Sequence, residues 1–306
     1  MNVALWQERF AEHLALAGRT AATIRSYRYI LRGFLHFLSD RGLSEVHEIR
    51  REDVLAYQVA LHCKRKPNGN PLTLVSQNRE MGGVLAFCKF LQRARHLLVN
   101  PGADVSLMKV PRRLLPTLLD EAEVLRLLQA PDASIPLGLR DRAILEVLYS
   151  SALRNTELRR LEVGDVDLKR LEVRVHHGKG RKPRVVPLGE PAAGWVEEYL
   201  RNGRSLLLKA RDPGFLFLTH HGKDLKSETL SDLVRRAAQA AGLSVRVTPH
   251  LLRHCCATHM LRRQAGIRHL QEFLGHSSAE TTQVYTKIEI TDLREVHQRC
   301  HPRETF

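Results

Sequence analysis

HLLRHCCATHMLRRQAGIRHLQEFLGHSSAETTQVY, residues 250–285, holds the densest chemistry of the chain. His250 and Arg253 stand one helical turn apart, so a helix here projects both from one face. Leu274-Gly275-His276 follows, and Tyr285 comes nine residues after that histidine. An arginine offers a planar fork of donors to two phosphate oxygens, histidines exchange a proton near neutral pH, and a tyrosine hydroxyl can attack phosphorus. Displacement at a phosphodiester builds charge on its equatorial oxygens, which calls for further fixed cations. Upstream, Arg154 and Lys179 are the candidates. A bare His-x-x-Arg pair carries almost no information; its weight comes from the ordered company of the other four.

Rival readings attach to the same residues. His250, His254, Cys255, Cys256 and His259 crowd together as metal ligands would, yet His-Glu-x-x-His is absent and no carboxylate cluster follows, so no metal is expected. His297, Cys300 and His301 could likewise bind metal, but a solvated His-rich tail is the expectation there. A lone Tyr285 would read as a core aromatic; the polar company of Ser277, Ser278, Thr281, Thr282 and Thr286 favours a helix presenting it to a polar cleft.

Charge points to a polyanionic partner. Lys and Arg number 48 against 33 acidic residues, a formal net charge of +15. Residues 1–113 hold 18 basic and 9 acidic side chains and the remainder 30 and 24, so both halves are basic and contact from two sides is expected. A generally basic protein or an RNA-binding one fits the charge alone; only the site residues separate these readings. No apolar stretch approaches the roughly 20 residues that span a bilayer, and MNVALWQERF lacks the pattern of a secretory signal. A cytoplasmic, nucleoid-associated protein without membrane contact is expected. Five cysteines in no Cys-x-x-Cys spacing read as reduced thiols.

At 306 residues the chain is long for one core and comfortable for two. Residues 1–100 read as four helices; in the second, Ile24, Tyr27, Leu31, Phe34 and Leu38 recur at helical spacing between a Thr start and Gly42. KPNGNP separates the third and fourth as a loop. Three prolines and weak periodicity mark residues 101–118 as a linker, and DEAEV opens a second domain, 119–306. Arg154 falls at the break between two helical runs. Glu157, three positions on, can orient it, or the two form a surface ion pair worth little. From Leu171 the period changes to two: Leu171, Val173 and Val175 alternate with polar residues, HGKGRK turns, and Arg184 to Leu188 return, giving a β-hairpin with Lys179 near its tip. GKG is not a nucleotide-binding loop, and spacing alone does not choose between Lys179 and Lys182.

YSSALRNTELRRLEVGDVDL (149–168), LEVRVHHGKGRKPRVVPLGE (171–190), PHLLRHCCATHML (249–261) and LGHSSAETTQVYTKI (274–288) resemble, in order and interval, the signature boxes of tyrosine recombinases, the phage integrase and Xer-type family. The resemblance covers nearly the whole chain. It implies an N-terminal all-α bundle, the SAM-like core-binding domain, and an α+β, mainly helical catalytic domain with a small antiparallel sheet, together a C-shaped DNA clamp. It makes Arg154, Lys179, His250, Arg253, His276 and Tyr285 the six catalytic positions, with Tyr285 the nucleophile and Lys179 preferred over Lys182. It also favours DNA-backbone contact over plain solvation for Arg25, Arg28 and Arg79. The implied function is site-specific recombination of duplex DNA through a 3′-phosphotyrosyl link and a Holliday junction, by a homotetramer or heterotetramer and without cofactor, for integration, excision or resolution. Alternatives are cutting and resealing like a type IB topoisomerase, or a non-catalytic DNA-binding module.

The chain departs from the family pattern at Ala152, where Gly is more usual, at Leu251, where Asp is common, and at Cys255 and Cys256; these put only local packing in question. With no room ahead of the first helix for an arm-binding domain, a simple Xer-like or element-borne enzyme is expected. Near the end, Ile290, Leu293 and Val296 make one apolar helix edge, expected to dock on a neighbouring protomer, the alternative being its own domain.

Overall fold

The computed structural model describes residues 3–111, 117–176, 183–209, 211–275 and 290–304. The chain folds as two compact units, Met1–Leu114 and Leu115–Phe306.

The first unit consists of helices α1 (Val3–Leu16), α2 (Ala21–Asp40), α3 (Arg51–Cys63) and α4 (Leu74–Arg93). Helix α2 starts where the Thr20 hydroxyl accepts the Thr23 N–H, one of the donors that a first turn leaves unpaired. Thr73 begins α4 in the same way. The expected stripe on α2 is observed: Leu31, Phe34 and Leu38 are buried with Ile30 and Leu35, while Ile24 and Tyr27 line the edge of the core. Each fully buried Leu or Phe contributes about 1.5–3 kcal/mol. Gly83 lets α4 approach α2 closely, since a Cβ there would stand 2.7 Å from Ile30 Cγ2.

The second unit is built around α6 (Pro136–Ser150), buried along nearly its whole length. Helix α5 (Glu121–Gln129) precedes it, and the expected start is present: Asp120 accepts the Glu123 N–H at 2.7 Å while Glu123 accepts the Asp120 N–H at 3.0 Å. After the short α7 (Asn155–Leu158) come β1 (Val166–Asp167), β2 (Glu172–Val175) and β3 (Arg184–Pro187), antiparallel in that order, with Val173 paired to both Val166 and Val186. Val173, Val175 and Val186 face the core, as the two-residue period predicts. The hairpin tip, with Lys179 and Lys182, lies outside the described residues. Helices α8 (Glu190–Asn202), α9 (Arg204–Leu207), α10 (Ser227–Ala240), α11 (Pro249–Arg262), α12 (Ile267–Leu274) and α13 (Ile290–Cys300) complete the unit. Among the described residues no helix is long and apolar enough to cross a membrane.

Two expectations about the end of the chain are corrected. Helix α13 packs on its own unit, burying Leu293 and Val296 in the common core, because that edge finds an apolar surface already present beside β3, α11 and α12. His297 and His301 are not a solvated tail. They are 2% and 0% exposed, and each is bonded to a carbonyl at the end of α6.

Candidate active site

Helix α6 ends at Ser150, and the chain then passes through buried Ser151, Ala152 and Leu153 to Arg154, the residue that starts α7. Ala152 has φ +46°, a left-handed conformation that costs a residue with a Cβ about 1–2 kcal/mol. A glycine at this position would carry no such cost, which gives the departure at Ala152 a backbone meaning beyond packing.

Glu157 organises the site. Its carboxylate is fully buried and accepts from the Arg154 backbone N–H at 2.9 Å, from Arg154 Nη1 at 2.7 Å, and from both terminal nitrogens of Arg184 at 2.9 Å. Burial alone would push its pKa up, but the hydrogen bonds from Arg184 and from the Arg154 backbone outweigh that and bring it to about 2. Here the pair with Arg154 is no solvated surface contact.

Arg253, on the second turn of α11, is 6% exposed; Nη1 donates to the Ala152 carbonyl and Nη2 to the Leu274 carbonyl at 2.6 Å. Arg154 Nη2 donates to the next carbonyl, Gly275, at 2.9 Å. Gly275 ends α12 at φ +62°, so the two arginines hold the unpaired carbonyls of a helix C-terminus, where cations are favoured. Burial, followed by the charge of Arg154, lowers Arg253 to about 10, which leaves it protonated at neutral pH. Two guanidinium groups thus bond one carboxylate and a third, Arg253, is held nearby on carbonyls, a surplus of fixed positive charge prepared for an anion.

Of the six expected catalytic positions, the structure brings Arg154 and Arg253 together at residues 274–275, immediately before His276 in the sequence. His250 lies on the first turn of α11, which the Thr248 hydroxyl caps, and it is exposed while Arg253 turns inward. Lys179, His276 and Tyr285 lie outside the described residues. Leu251 is buried in the core in place of the common acid. Arg184 was not singled out in the sequence: it sits on a strand whose pairing with Glu157 spans 27 residues, and its only signal is a charged residue opening β3. Its Nε is buried with no partner among the described residues.

The metal reading of residues 250–259 does not converge. His259 is committed to the Tyr149 hydroxyl and the Leu119 carbonyl, both at 2.9 Å, and burial raises the pKa of Cys255 and Cys256. In the first unit Arg25 and Arg79 are exposed, whereas Arg28 bonds Glu8 at 2.7 Å in an exposed pair that costs little to exchange for another anion.

A model of the phage integrase family matches residues 117–291, and one of the phage integrase N-terminal SAM-like domain matches residues 8–95. The chain is 39% identical over 297 residues to tyrosine recombinase XerC 2 of Ralstonia nicotianae, spanning 97% of this chain and 85% of that protein. It is 38% identical over 303 residues to tyrosine recombinase XerD of Pseudomonas aeruginosa, spanning 98% and 95%. A lambda integrase tetramer bound to a Holliday junction shares the fold, with TM-score 0.67 at 21% identity over 94% of this chain and 80% of that one. The helical first unit and the mainly helical second unit with its small antiparallel sheet are the architecture expected from the sequence. With models matching in both units and near-full-length identity to two Xer enzymes, the chain belongs to the phage integrase family, as a tyrosine recombinase that cuts and rejoins DNA strands through a tyrosine-linked phosphate.

Proposed function

We propose that Arg154, Lys179, His250, Arg253, His276 and Tyr285 carry the reaction, and that its substrate is duplex DNA bearing specific sites. The observation that supports this most directly is the convergence of Arg154 and Arg253 on the carbonyls of residues 274 and 275, with Glu157 and Arg184 behind them. In this reading the two arginines release or share those carbonyls and take the nonbridging oxygens of the scissile phosphate, where a forked guanidinium outperforms an ammonium. The Tyr285 oxygen attacks phosphorus, its proton passing toward His250. The bond to the 5′-oxygen breaks, that oxygen takes a proton from Lys179, and a 3′-phosphotyrosyl link remains. His276 hydrogen-bonds the phosphate. Attack by a 5′-hydroxyl of another strand reverses these steps and exchanges strands without outside energy.

The basic composition of both units supports backbone contact by each, with Arg25, Arg28 and Arg79 as first-unit candidates. Family membership supports a tetramer of this or a paired recombinase on two sites, acting at a Holliday junction in the cytoplasm at the nucleoid. The test uses a duplex nicked beside the cleavage site, which traps the covalent adduct. Wild type should accumulate the adduct, and Tyr285→Phe should bind with similar affinity and form none. Adduct on the Phe variant would remove Tyr285 from the role, and turnover on a single isolated site would favour the topoisomerase-like alternative.

A further inference from the structure

The buried histidines at the end of the chain are unused by the recombination chemistry. His297 Nε2 meets the Ser150 carbonyl at 2.8 Å and His301 Nε2 meets the Tyr149 carbonyl at 3.2 Å. A carbonyl only accepts, so both protons sit on Nε2, and each Nδ1 presents a lone pair. The rings stack 4.5 Å apart at 10°, and a ring nitrogen of each lies within 4.8 Å of the other and of a Glu304 carboxylate oxygen. A backbone carbonyl behind the far nitrogen is the arrangement that orients metal-binding imidazoles.

Glu304 completes the cluster. Its Oε1 is buried with no hydrogen-bond partner among the described residues, lying 3.9 Å from His297 Nδ1, while Oε2 accepts weakly from the Glu190 N–H at 3.4 Å. The carboxylate occupies space that a side chain at residue 189 would take: a Cβ on Gly189 would stand 1.9 Å from Oε1. Two acceptors thus face each other across a gap too wide for a shared proton, inside the protein. A cation between them would satisfy both.

We propose that His297, His301 and Glu304 form a binding site for a divalent transition-metal ion of the zinc type, which fastens the last helix to the end of α6. The three ligand atoms lie within 4.8 Å of one another, against about 3.4 Å for ligands held ~2.1 Å from one tetrahedral ion, so loading draws them inward. His301 Nδ1 also receives the Arg303 N–H at 3.2 Å, a contact that the metal bond replaces. A cavity of about 140 Å³ bordered by His297, Glu304, Gln298 and Arg294, with Lys169 and Arg170 also on its wall, lies beside the cluster and has room for a water as fourth ligand. The charge of Arg294 is already matched by Glu172 at 2.8 Å. Two imidazoles and one carboxylate suit zinc, cobalt or nickel and disfavour magnesium.

The full-length protein carrying Cys63→Ser, His220→Gln and His221→Gln, which removes an exposed thiol and an exposed histidine pair, is titrated with Zn²⁺ and with Mg²⁺. One equivalent of Zn²⁺ should bind at micromolar or tighter affinity and raise the melting temperature, with no response to Mg²⁺. Glu304→Gln and His297→Gln, each added to that background, should weaken Zn²⁺ binding at least tenfold. X-ray absorption of the Zn²⁺ adduct should show two imidazole nitrogens and carboxylate oxygen, and this decides the matter if a variant does not fold. Absence of saturable one-to-one binding, equal affinity in a folded Glu304→Gln variant, or a thiolate in the absorption spectrum would overturn the site. So would nitrogen NMR showing His297 protonated on both nitrogens at pH 7 and unmoved by Zn²⁺.

Discussion

Two buried polar clusters draw on the same stretch of chain, residues 149–154, and they meet the cost of burial in opposite ways. The cluster of Arg154, Arg184, Arg253 and Glu157 keeps its charges and matches them with one another and with helix-end carbonyls. The cluster of His297, His301 and Glu304 gives its imidazoles up as neutral groups, with burial bringing His297 to about 4 and His301 lower than its usual range. The first holds charge that a phosphate can use. The second holds lone pairs. The difference lies in the side chains: a guanidinium cannot shed its proton under any ordinary condition, whereas an imidazole sheds it readily when desolvated.

Removing the counter-charge should break the first cluster most severely. Glu157→Gln leaves Arg184 facing a neutral amide inside the protein, and loss of one partner of a buried pair costs about 3–5 kcal/mol. Urea unfolding at pH 7 should show a loss of that order, and strand cleavage should fall more than a hundredfold. A change under 1 kcal/mol would mean that the arginines do not depend on Glu157.

Acid should separate the two clusters. His297 is neutral when folded down to about pH 4, while the unfolded chain takes up that proton near 6.5, so stability is lost as pH falls from 6.5 toward 4. The shift corresponds to about 3 kcal/mol at its limit. Glu304 works against this: burial raises its pKa, so its destabilising charge at neutral pH is relieved as pH falls. Glu157, depressed to about 2, contributes stability above the unfolded carboxylate value that is lost only as pH falls from 4.5 through 2. Urea midpoints of the metal-free protein followed from pH 7 to 3 should therefore fall in two stages, and His297→Gln should make the upper stage shallower, with His301 and His259 supplying the rest, while leaving the lower stage unchanged. A single stage that the substitution leaves unchanged would contradict the neutral burial of His297.

Smaller effects sharpen the first cluster. Arg184→Lys retains charge but loses the two parallel bonds to Glu157, so cleavage should slow about tenfold while DNA affinity changes less than threefold, the mark of positioning. Equal losses in binding and rate would place Arg184 on the DNA instead. Ala152→Gly should shift stability by less than about 1 kcal/mol, because relief of left-handed strain offsets a lost buried methyl and added chain entropy. A melting temperature showing a loss above about 2 kcal/mol would mean that the Ala152 methyl matters more than its backbone conformation.

The same contrast explains what could be read in advance. The α2 stripe, the start at Asp120 and the alternation of Val173 and Val175 are local patterns, and each was legible. So was the reach from Arg154 to Glu157, three residues apart. Arg184 and the histidines were not, because their partners come from distant segments: His297 bonds a carbonyl 147 residues upstream, and no window of sequence shows that a polar tail will meet it. The apolar edge of α13 was visible, but the surface receiving it was not. Lys179, His276 and Tyr285 rest on order and resemblance, outside the described residues.

Arg154 is gripped twice by one carboxylate, through its main-chain N–H and through its guanidinium, with a third hold at Gly275. A free arginine carries about 2 kcal/mol of rotamer entropy, which an enzyme forfeits if the side chain must be ordered as the reaction proceeds. Here that ordering is completed when the chain folds. In the proposed role the side chain would meet the phosphate as part of a stiff scaffold, and the barrier to cleavage would not include the search for its conformation.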